Sequence, residues 1–573
     1  LDFYIAATVD TASCKLVSEQ VVWNSATKFN ILETGNNLQK LNSYAWDGGA
    51  ASLNTVGNNG YFEFKAVETN KARHIGLSNS FTGLAFANVQ FGINLQNNGT
   101  VSIYESNVNR GSFGNYYAND VFRIAIESGV VKYYKNGVLF YTSTLVPVLP
   151  LIVHVSMYDV GATIVNPVVY NLTNGTYTAY ANNTGPNPVY QWKVNGVNVG
   201  ANSNVYTNST LSLNDVVTCQ LSLNNCVTNT ILSNAITSLT IAPSPSLAFY
   251  IRPAIDTGAC KLVAENVVWR YTTLDNMSKL QITGNSLTKL LTNAWDAAGF
   301  SYQSVGNNGA MQFIATQTNK PLMCGLSASF TGNSYTNIQY AIYLAVGGSL
   351  QVYESGVNRG TFGSYAINDT LRIGIENNQI CYYRNNILFY TSTVAPVLPL
   401  FVNASISDIG GVVSNVVVFN RTSLSFTAFT LNAPANPIYN WKVNNVVVQS
   451  GSSAVYSNPA LAINDVVTCA LQLTGCYTNS INSNSITVKS IIPNPSSSFF
   501  IKGVYDVNGC KKAGEQVVWR YVNLSNYDRL TITGNTLTKK LSGGWDAGAI
   551  SNNIVYNNGY LEFKAIEVNK NRM

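Results

Sequence analysis

Charge is scarce in this chain of 573 residues. Lys, Arg, Asp and Glu make up 10% of it and the formal net charge is only +6, whereas globular proteins usually carry about 25% charged residues. The Lys and Arg residues are scattered without a basic run, which argues against a nucleic-acid partner. No apolar run approaches the ~18–20 residues that span a bilayer, so we expect no membrane span.

Histidine is nearly missing as well. The two histidines, His74 and His154, do not stand at the spacing of zinc ligands, and no loop has the dense acidic spacing of a dedicated calcium site. We therefore expect no metal and no cofactor. Neither histidine returns in the repeat described below, and we interpret both as incidental surface or boundary residues.

Helical periodicity is almost absent, and alternating segments take its place. Hydrophobic residues make up 46% of the chain, with 34 Tyr and 23 Phe. Residues 61–66 and 122–127 alternate between apolar and polar, as half-buried strands do. Residues 133–141 are typical of a hairpin, because Asn136-Gly137 supplies the positive φ of a type I′ turn. These patterns predict an all-β protein, and the length predicts about three to five domains.

The strongest signal is an internal repeat. Trp23 returns, with its two preceding valines, as Trp269 and Trp519. The block from residues 104–111 returns at 353–360, about 249 residues later. Such a period is too long for a solenoid unit, so each period must hold whole domains.

Each period divides into a large unit, dense in alternating strands, and a small unit. We predict tandem β-sandwiches with these limits: 1–171 (large), 172–246 (small), 247–420 (large), 421–495 (small) and 496–573 (the beginning of a third large unit). Since the third copy stops at Met573, which aligns with His74, we expect the chain to be an internal part of a longer array. Proline-containing junctions at 243–245 and 493–495 are too short for flexible tethers.

Both kinds of unit resemble known families. The large unit resembles the concanavalin-like jelly-roll sandwiches of lectins and glucanases, through the block from Trp46 to residues 76–78, residues 101–105 and the hairpin at 133–137. The small unit is similar to Ig-like modules of Bacteroidetes surface proteins, in which Trp192 is the core tryptophan and Cys219 lies on the penultimate strand; Trp441 and Cys469 repeat both. Val217 replaces the tyrosine corner of antibody-type domains.

The alternation of the two kinds of unit resembles the giant gliding-motility adhesins of the SprB type, which are exported by type IX secretion. This resemblance implies an extracellular filament on a bacterial cell surface that acts mechanically and through many weak contacts. The implied partners are a surface polysaccharide or solid substratum, and motility or anchoring machinery reached through parts outside this chain. The alternative is a secreted carbohydrate-binding protein with a glycan site in each large unit.

A glycan site needs an aromatic platform with amide and carboxylate groups around it. The candidate ligand-binding residues recur in both copies: Trp46, Asp47, Asn59, Tyr104, Asn109 and Arg110, with Trp295, Asp296, Asn308, Tyr353, Asn358 and Arg359. Other interpretations stay open for three of them, because Trp46 suits a core position, Asn59 suits a turn, and Arg110 suits a pair with Glu105.

Catalysis is not expected, and we predict no catalytic residues. Glycoside hydrolysis needs two facing carboxylates, and the nearest set is Glu63, Glu68 and Asp47. The second copy has Gln312 and Gln317 in place of the two glutamates, and an amide cannot serve as nucleophile or general acid.

Nine cysteines favour an oxidising compartment. Cys219 and Cys226 flank a hairpin-like segment and Cys469 and Cys476 repeat this spacing, so we predict a local disulfide in each small unit; a pair of buried thiols is the alternative.

The remaining cysteines belong to the large units. Cys324 and Cys381 occur only in the second copy, and we predict a disulfide between them provided that their strands are neighbours. Cys14, Cys260 and Cys510 occupy one site per large unit without an obvious partner, and we expect them to be buried.

Overall fold

The structure is a computed structural model. It describes residues 3–182, 184, 187–223, 230–240, 248–431, 436–473, 480–490, 501, 513–522, 524–540, 544–556, 559–564, 570 and 572. The predicted limits at 246 and 495, the two proline junctions, Cys226, Cys476 and Cys510 lie outside these residues.

The first period is built of short antiparallel strands. Its strands are β1 (Phe3–Val9), β2 (Leu16–Gln20), β3 (Ile31–Thr34), β4 (Asn37–Lys40), β5 (Gly48–Val56), β6 (Tyr61–Lys65), β7 (Arg73–Ser78), β8 (Phe91–Leu95), β9 (Thr100–Glu105), β10 (Val108–Asn115), β11 (Val121–Glu127), β12 (Val130–Lys135), β13 (Val138–Thr142), β14 (Leu151–Met157), β15 (Thr163–Ala181), β16 (Val189–Val194), β17 (Val197–Val199), β18 (Val205–Thr207), β19 (Val216–Ser222), β20 (Thr230–Leu232) and β21 (Ile236–Leu239). Single 3₁₀ turns lie at Ser25–Thr27 and Phe86–Asn88.

The second period repeats this order and adds a short helix, α1 (Leu274–Lys279). Its strands are β22 (Ala248–Ile255), β23 (Leu262–Asn266), β24 (Trp269–Arg270), β25 (Leu280–Thr283), β26 (Ser286–Lys289), β27 (Ala298–Val305), β28 (Ala310–Ile314), β29 (Leu322–Ser327), β30 (Tyr340–Leu344), β31 (Ser349–Glu354), β32 (Val357–Ser364), β33 (Thr370–Glu376), β34 (Gln379–Arg384), β35 (Ile387–Thr391), β36 (Leu400–Ile406), β37 (Val412–Leu431), β38 (Ile438–Val443), β39 (Val446–Gly451), β40 (Val455–Ser457), β41 (Val466–Gln472), β42 (Ser480–Asn482) and β43 (Ile486–Lys489). A 3₁₀ turn lies at Tyr335–Asn337.

The described part of the third copy contains α2 (Leu524–Arg529) and four strands. These strands are β44 (Trp519–Tyr521), β45 (Leu530–Thr533), β46 (Thr536–Lys539) and β47 (Ala549–Ser551). The helix α2 stands at the place that α1 occupies in the second copy.

Each large unit is a sandwich of two antiparallel sheets. In large unit 1 a sheet in the order β10-β9-β8-β7-β14-β5 faces the strands β13-β12-β11-β6-β15. Apolar and polar residues alternate along the strands, and the apolar side chains fill the space between the two sheets. Phe62 and Phe64 are fully buried in this core, whereas Glu63 points away from it. Large unit 2 repeats the arrangement with β24-β27-β36-β29-β30-β31-β32 facing β35-β34-β33-β28-β37. The predicted all-β, tandem-sandwich fold is confirmed.

The predicted hairpin is also confirmed. Strands β12 and β13 pair through the turn at Asn136 and Gly137, whose φ values are 48° and 79°. Both residues occupy the left-handed region that a type I′ turn requires.

The large and small units share a strand. Residues 163–172 of β15 pair with β4, β6 and β2 of large unit 1, and residues 173–181 pair with β1 and β18 of the small unit. The predicted limit at residue 171 therefore falls inside a continuous 19-residue strand. Strand β37, of 20 residues, makes the same connection in the second period.

The core of small unit 1 corrects the predicted start of large unit 1. Phe3 and Ile5 of β1 pack with Tyr177, Trp192 and Val217 in a cluster separate from the core of the large sandwich. The first strand of the chain thus completes the small unit, because its apolar face lies against the second half of β15. Separate cores on a shared strand replace the predicted simple succession of units.

Trp192 is the buried centre of small unit 1. It lies on β16 opposite Cys219 of β19, and its indole N–H donates to the carbonyl of Ser203 at 2.8 Å. Trp441 and Cys469 are paired in the same way in small unit 2. The core tryptophan is confirmed, but two strands, β20 and β21, follow β19, so the strand of Cys219 is not the penultimate one.

Candidate functional site

The outer face of the six-stranded sheet of large unit 1 is covered by a segment of its own chain, residues 79–90. Three side chains of the sheet hold this segment through its carbonyl oxygens. A ring nitrogen of His74 lies 3.2 Å from the oxygen of Phe86, a ring nitrogen of His154 lies 2.9 Å from that of Gly83, and Ser156 Oγ donates to that of Leu84 at 2.6 Å.

These contacts correct the interpretation of the histidines as incidental surface residues. His74 and His154 are both 0% exposed. Burial lowers the pKa of His74 to about 3, and it also lowers the pKa of His154. Both imidazoles are therefore neutral at pH 7, and they act as internal supports of the covering segment.

Four aromatic side chains gather where this segment meets the end of the sheet; we call them aromatic surface 1. The Phe86 ring lies 4.8 Å from the ring of Trp46 and 4.8 Å from that of Tyr104, both edge-to-face, and Tyr158 lies 5.4 Å from Trp46. All four residues are half-buried. Edge-to-face contacts at this spacing stabilise such clusters.

Large unit 2 carries an equivalent group, aromatic surface 2. Trp295 lies 5.1 Å from Tyr335 and 5.8 Å from Tyr343, and Tyr353 lies 5.9 Å from Tyr335. The group packs on a small apolar cluster that is separate from the main core and contains Met323, Ile338 and Ala341. These four aromatic side chains are half-buried too.

An exposed amide lies beside each aromatic surface. Asn109 Nδ2 donates to Tyr104 Oη at 3.3 Å, while its Oδ1 accepts from the backbone N–H of Gly111 at 2.8 Å. Asn358 repeats both bonds, to Tyr353 Oη at 3.3 Å and from Gly360 at 2.7 Å. Asn358 Nδ2 also donates to Gln351 Oε1 at 3.4 Å. Both amides are thereby oriented, and both residues are exposed to solvent.

In each large unit a buried lysine positions the loop that carries the tryptophan of the aromatic surface. Lys40 is 1% exposed; its ammonium pairs with Asp47 and donates to the carbonyl oxygens of Ala45 at 2.8 Å and Met157 at 3.1 Å. The hydrogen bond from Lys40 holds the pKa of Asp47 below its usual range. The predicted site residue Asp47 thus fixes the loop of Trp46.

The second copy repeats the lysine contact and adds another. Lys289 donates to Asp296 at 2.6 Å and to the carbonyl of Ala294 at 2.9 Å, and Lys279 pairs with Asp296 at 2.8 Å. Burial alone would raise the pKa of Asp296, but the two ammonium groups outweigh it and the pKa is lowered. Asp296 fixes the loop of Trp295.

The structure places the predicted arginines away from the aromatic surfaces. Arg110 pairs with the buried carboxylate of Glu105 at 3.0 Å, and Arg359 pairs with Glu354 at 2.9 Å. Tyr104 and Glu105 are neighbours in β9 and point to opposite faces of the sheet. Arg110 therefore lies on the core side, and the alternative pairing with Glu105 is the one observed.

The predicted asparagines Asn59 and Asn308 lie in turns at the end of β5 and β27. Their φ values are 60° and 59°. Asn59 Oδ1 accepts from the backbone N–H of Ser128 at 3.0 Å, and Asn308 Oδ1 accepts from that of Asn377 at 3.3 Å. Each side chain links its own turn to a second turn, at Ser128 in the first copy and at Asn377 in the second. Neither asparagine belongs to an aromatic surface.

The remaining candidate carboxylates for glycoside hydrolysis occupy separate ion pairs. Glu63 accepts from Arg123 at 2.7 Å, and Glu68 lies 3.3 Å from Arg73. Within the described ranges, no three His, Cys, Asp or Glu side chains come together in a way that could hold a metal ion.

Sequence reasoning missed two of the four residues of each aromatic surface. These are Phe86 and Tyr158 in aromatic surface 1, and Tyr335 and Tyr343 in aromatic surface 2. The aligned pair Phe86 and Tyr335 carried the signal, because both positions are aromatic although the residue differs. Tyr158 and Tyr343 have no aromatic counterpart in the other copy and could be found only from the fold.

The described cysteines of the small units contradict the predicted disulfides. Cys219 and Cys469 are free and buried. Each thiol points into the small-unit core beside its tryptophan, and burial raises the pKa of both to about 12. The alternative of a buried thiol is the one observed for these two residues.

The predicted bond between Cys324 and Cys381 is also wrong. Both thiols are free and buried, and they lie on β29 and β34, which belong to opposite sheets. Cys324 points into the core of large unit 2, whereas Cys381 lies next to Tyr382, which is the residue that enters this core. The expected burial of Cys14 and Cys260 is wrong as well, because both are exposed; Cys14 is disulfide-bonded and Cys260 is free.

The helices of the described chain are short. Both α1 and α2 have six residues, and no helix among the described residues is long and apolar enough to cross a membrane.

The fold defines the chain as a tandem β-sandwich protein. No protein-family model and no curated protein sequence matches it. Solved structures similar to it include a prokaryotic β-1,3-1,4-glucanase (lichenase) derived from a mouse hindgut metagenome, with 10% identity over 30% of this chain and 100% of that chain and a TM-score of 0.20. A sialidase has 10% identity over 57% of this chain and 30% of its own, with a TM-score of 0.20. Domains LG4-5 of the mouse laminin α1 chain have 9% identity over 80% and 96% of the two chains, with a TM-score of 0.15.

Proposed function

We propose that this chain is a segment of an extracellular adhesive filament whose large units bind polysaccharide weakly at aromatic surfaces 1 and 2. One observation carries the proposal: the two copies keep a half-buried aromatic group with an oriented amide beside it. They do so although Phe86 is replaced by Tyr335 and His74, beneath the first group, is replaced by Met323.

The chemistry of the two surfaces suits a sugar ring. Partly exposed aromatic rings offer apolar faces of the kind that carry a ligand's ring, and a few fixed polar groups set its orientation. Asn109 and Asn358 supply such groups. The surfaces are open and shallow, so each contact is weak, and affinity comes from several units that bind along one polymer.

The architecture suits a filament under load. Each unit has its own core, while β15 and β37 run without interruption from a large unit into the next small one. A pulling force is therefore transmitted through strand hydrogen bonds at these places. The surface is polar but carries little charge, which limits nonspecific attraction.

The finer parts of the proposal rest on the sequence resemblance. They are a bacterial cell-surface location, export by type IX secretion, and a role in gliding motility or surface attachment. Binding, not catalysis, is the proposed activity, because the candidate carboxylates occupy ion pairs. A freely secreted carbohydrate-binding protein is the second candidate, and the two aromatic surfaces favour it equally.

The experiment is polysaccharide binding by the full chain, on a glycan array and by affinity electrophoresis. The double variant Trp46→Ala/Trp295→Ala should lose at least tenfold in apparent affinity, and each single variant should lose less. Tyr44→Ala is the matched control, since Tyr44 lies two residues from Trp46 and is 65% exposed. Equal binding by the double variant and the wild type, or no binding by either, contradicts the proposal.

Antibody labelling of intact cells separates the two candidates. Filaments that stain along their length support the adhesive filament, whereas protein found only in the medium supports the secreted form.

A further inference from the structure

The large units touch each other directly, in addition to their connection through the small unit. Helix α1 of large unit 2 lies against β10 of large unit 1. The backbone N–H of Asn115 donates to Asp275 Oδ1 at 2.7 Å. A Cβ atom on Gly114 would stand 3.1 Å from the same carboxylate, so the glycine allows this close approach.

A buried ion pair lies under the helix. The Lys135 side chain is 0% exposed and its ammonium pairs with Asp120 at 2.9 Å. It also donates to the carbonyl of Asn115 at 2.7 Å and, across the contact, to that of Leu274 at 3.2 Å. A buried charge needs such partners to be tolerated, and α1 supplies one of them.

We call this contact between large units 1 and 2 the first joint. Ser278, the fifth residue of α1, completes it. Its hydroxyl donates to both carboxylate oxygens of Asp120, at 2.9 and 3.0 Å. Asp120 also accepts from the backbone N–H of Tyr117 and from Asn136 Nδ2, both at 2.8 Å, so Lys135 is its one cationic partner among neutral donors.

The second joint, between large unit 2 and the third copy, has the same parts with different chemistry. Helix α2 lies against β32. Arg384, which ends β34 as Lys135 ends β12, pairs with Asp369 at 2.6 Å and with Asp528 at 2.8 Å. Asp528 is the fifth residue of α2, the place that Ser278 holds in α1.

The residue that ends the strand and the fifth residue of the helix change together between the two joints, from Lys135 and Ser278 to Arg384 and Asp528. Electrostatics explains why. A lysine ammonium is a compact point charge, whereas the arginine guanidinium presents donors in a fork that can serve two carboxylates. An aspartate at position 278 would face Asp120 with Lys135 as their shared cation, because the other cation of α1, Lys279, is paired with Asp296. Two close carboxylates disfavour each other's charged form.

We propose that successive large units dock through this helix, and that the Lys135–Ser278 and Arg384–Asp528 combinations are matching pairs that determine which unit can follow which. The partner of each receiving edge is the helix of the next large unit in the array. Large unit 1 has a 3₁₀ turn where α1 and α2 stand, and Trp23 lies 12 residues before Gly35 whereas Trp269 lies 15 before Gly284. Docking helices are thus a property of particular copies.

The test is hydrogen exchange of the Asn115 amide in the full chain, because its acceptor, Asp275, comes from the docked helix. Ser278→Asp should accelerate this exchange at least tenfold, since it brings a second carboxylate to Asp120. Lys135→Arg/Ser278→Asp should restore most of the protection, because it recreates the pair of the second joint. Ser278→Ala is the control for loss of the hydroxyl alone and should have a much smaller effect.

Exchange in β7 and β29 reports whether the sandwiches stay folded and should not change in any variant. Small-angle scattering should show a broader range of lengths for Ser278→Asp and a return in the double variant. Unchanged Asn115 exchange in Ser278→Asp would overturn the proposal. Exchange that is equally fast with and without Lys135→Arg would overturn the matching of the pairs.

Discussion

In each large unit a segment of the chain covers the outer face of one sheet. The two units support their equivalent segments with different side chains. In large unit 1, His154 shares a hydrogen bond with Ser78 at 3.0 Å; in large unit 2, Asn403 donates to Ser327 at 3.1 Å. The geometry of the contact is retained, but only the first copy places a titratable group there, and burial lowers the pKa of that group, His154. The comparison shows that this fold needs a buried hydrogen-bonding group here and is indifferent to whether that group titrates.

The junctions of the two periods differ in a similar way. Glu19 and Glu265 are both buried where β2 and β23 join the large and small units. Glu19 accepts from the backbone N–H of Ala7 at 3.0 Å. The equivalent residue of β22 is Pro253, which has no N–H. Burial raises the pKa of Glu19 to about 7 and that of Glu265 to about 8.

The largest expected effect comes from this junction. Both carboxyl groups have a folded-state pKa above the unfolded value, so their stabilisation is complete below about pH 4.5 and is lost as the pH rises through about 7 for Glu19 and about 8 for Glu265. At pH 9 the substitution Glu265→Gln should stabilise the second period by about 2–3 kcal/mol, because an amide carries no buried charge. Glu19→Gln should stabilise the first period less, since burial raises the pKa of Glu19 only to about 7 and the ionised form that the amide replaces is therefore less costly. Denaturant unfolding followed by hydrogen exchange resolves the two periods, and a larger gain from Glu19→Gln would contradict the comparison.

The next effect is smaller and separates the two large units. The folded-state pKa of His74 is about 3, below its unfolded value of 6.5, so its contribution is complete above about pH 6.5 and is lost as the pH falls toward 3. At pH 5 this loss lowers the free energy of unfolding of large unit 1 by about 2 kcal/mol relative to neutral pH. His74→Met takes the residue of the second copy and should remove this acid sensitivity from large unit 1.

The same unfolding experiment at pH 7.5 and pH 5 measures the effect of His74. The control is Met323→Leu in large unit 2, which changes an equivalent buried side chain without a titrating group. If the variant His74→Met retains the full difference between the two pH values, the histidine is not its source.

The smallest effect concerns cysteine chemistry and leaves stability unchanged. Without reductant, native alkylation should label Cys260 and spare the buried thiols of Cys219, Cys324 and Cys469, because alkylation requires access. Cys14 should become reactive only after reduction. Mass spectrometry of the labelled peptides checks this, and rapid native labelling of Cys324 would contradict the described core.

Much of the fold could be predicted because alternation and turn residues act locally. The type I′ turn at Asn136-Gly137 and the core tryptophans Trp192 and Trp441 follow from residues that are close in sequence. The candidate site was predicted only in part. Trp46, Tyr104 and Asn109 lie together as expected, but the rings between them come from segments that are distant in sequence.

The errors share a cause. Cysteine spacing suggested disulfides, yet Cys219 points into the core opposite Trp192, and Cys324 and Cys381 are on different sheets. Whether two residues meet depends on strand order and on which face each one occupies. A change of one residue in register exchanges those faces, and spacing along the chain does not reveal it.

By itself the sequence determined an all-β protein of repeated sandwiches, since period-2 alternation, turn chemistry and self-similarity are written in neighbouring residues. Tertiary structure alone decided that β15 and β37 belong to two units at once, that β1 completes the small unit, and that α1 and α2 seat on the preceding large unit. These features depend on contacts between residues more than a hundred positions apart. Only packing in three dimensions brings such residues together.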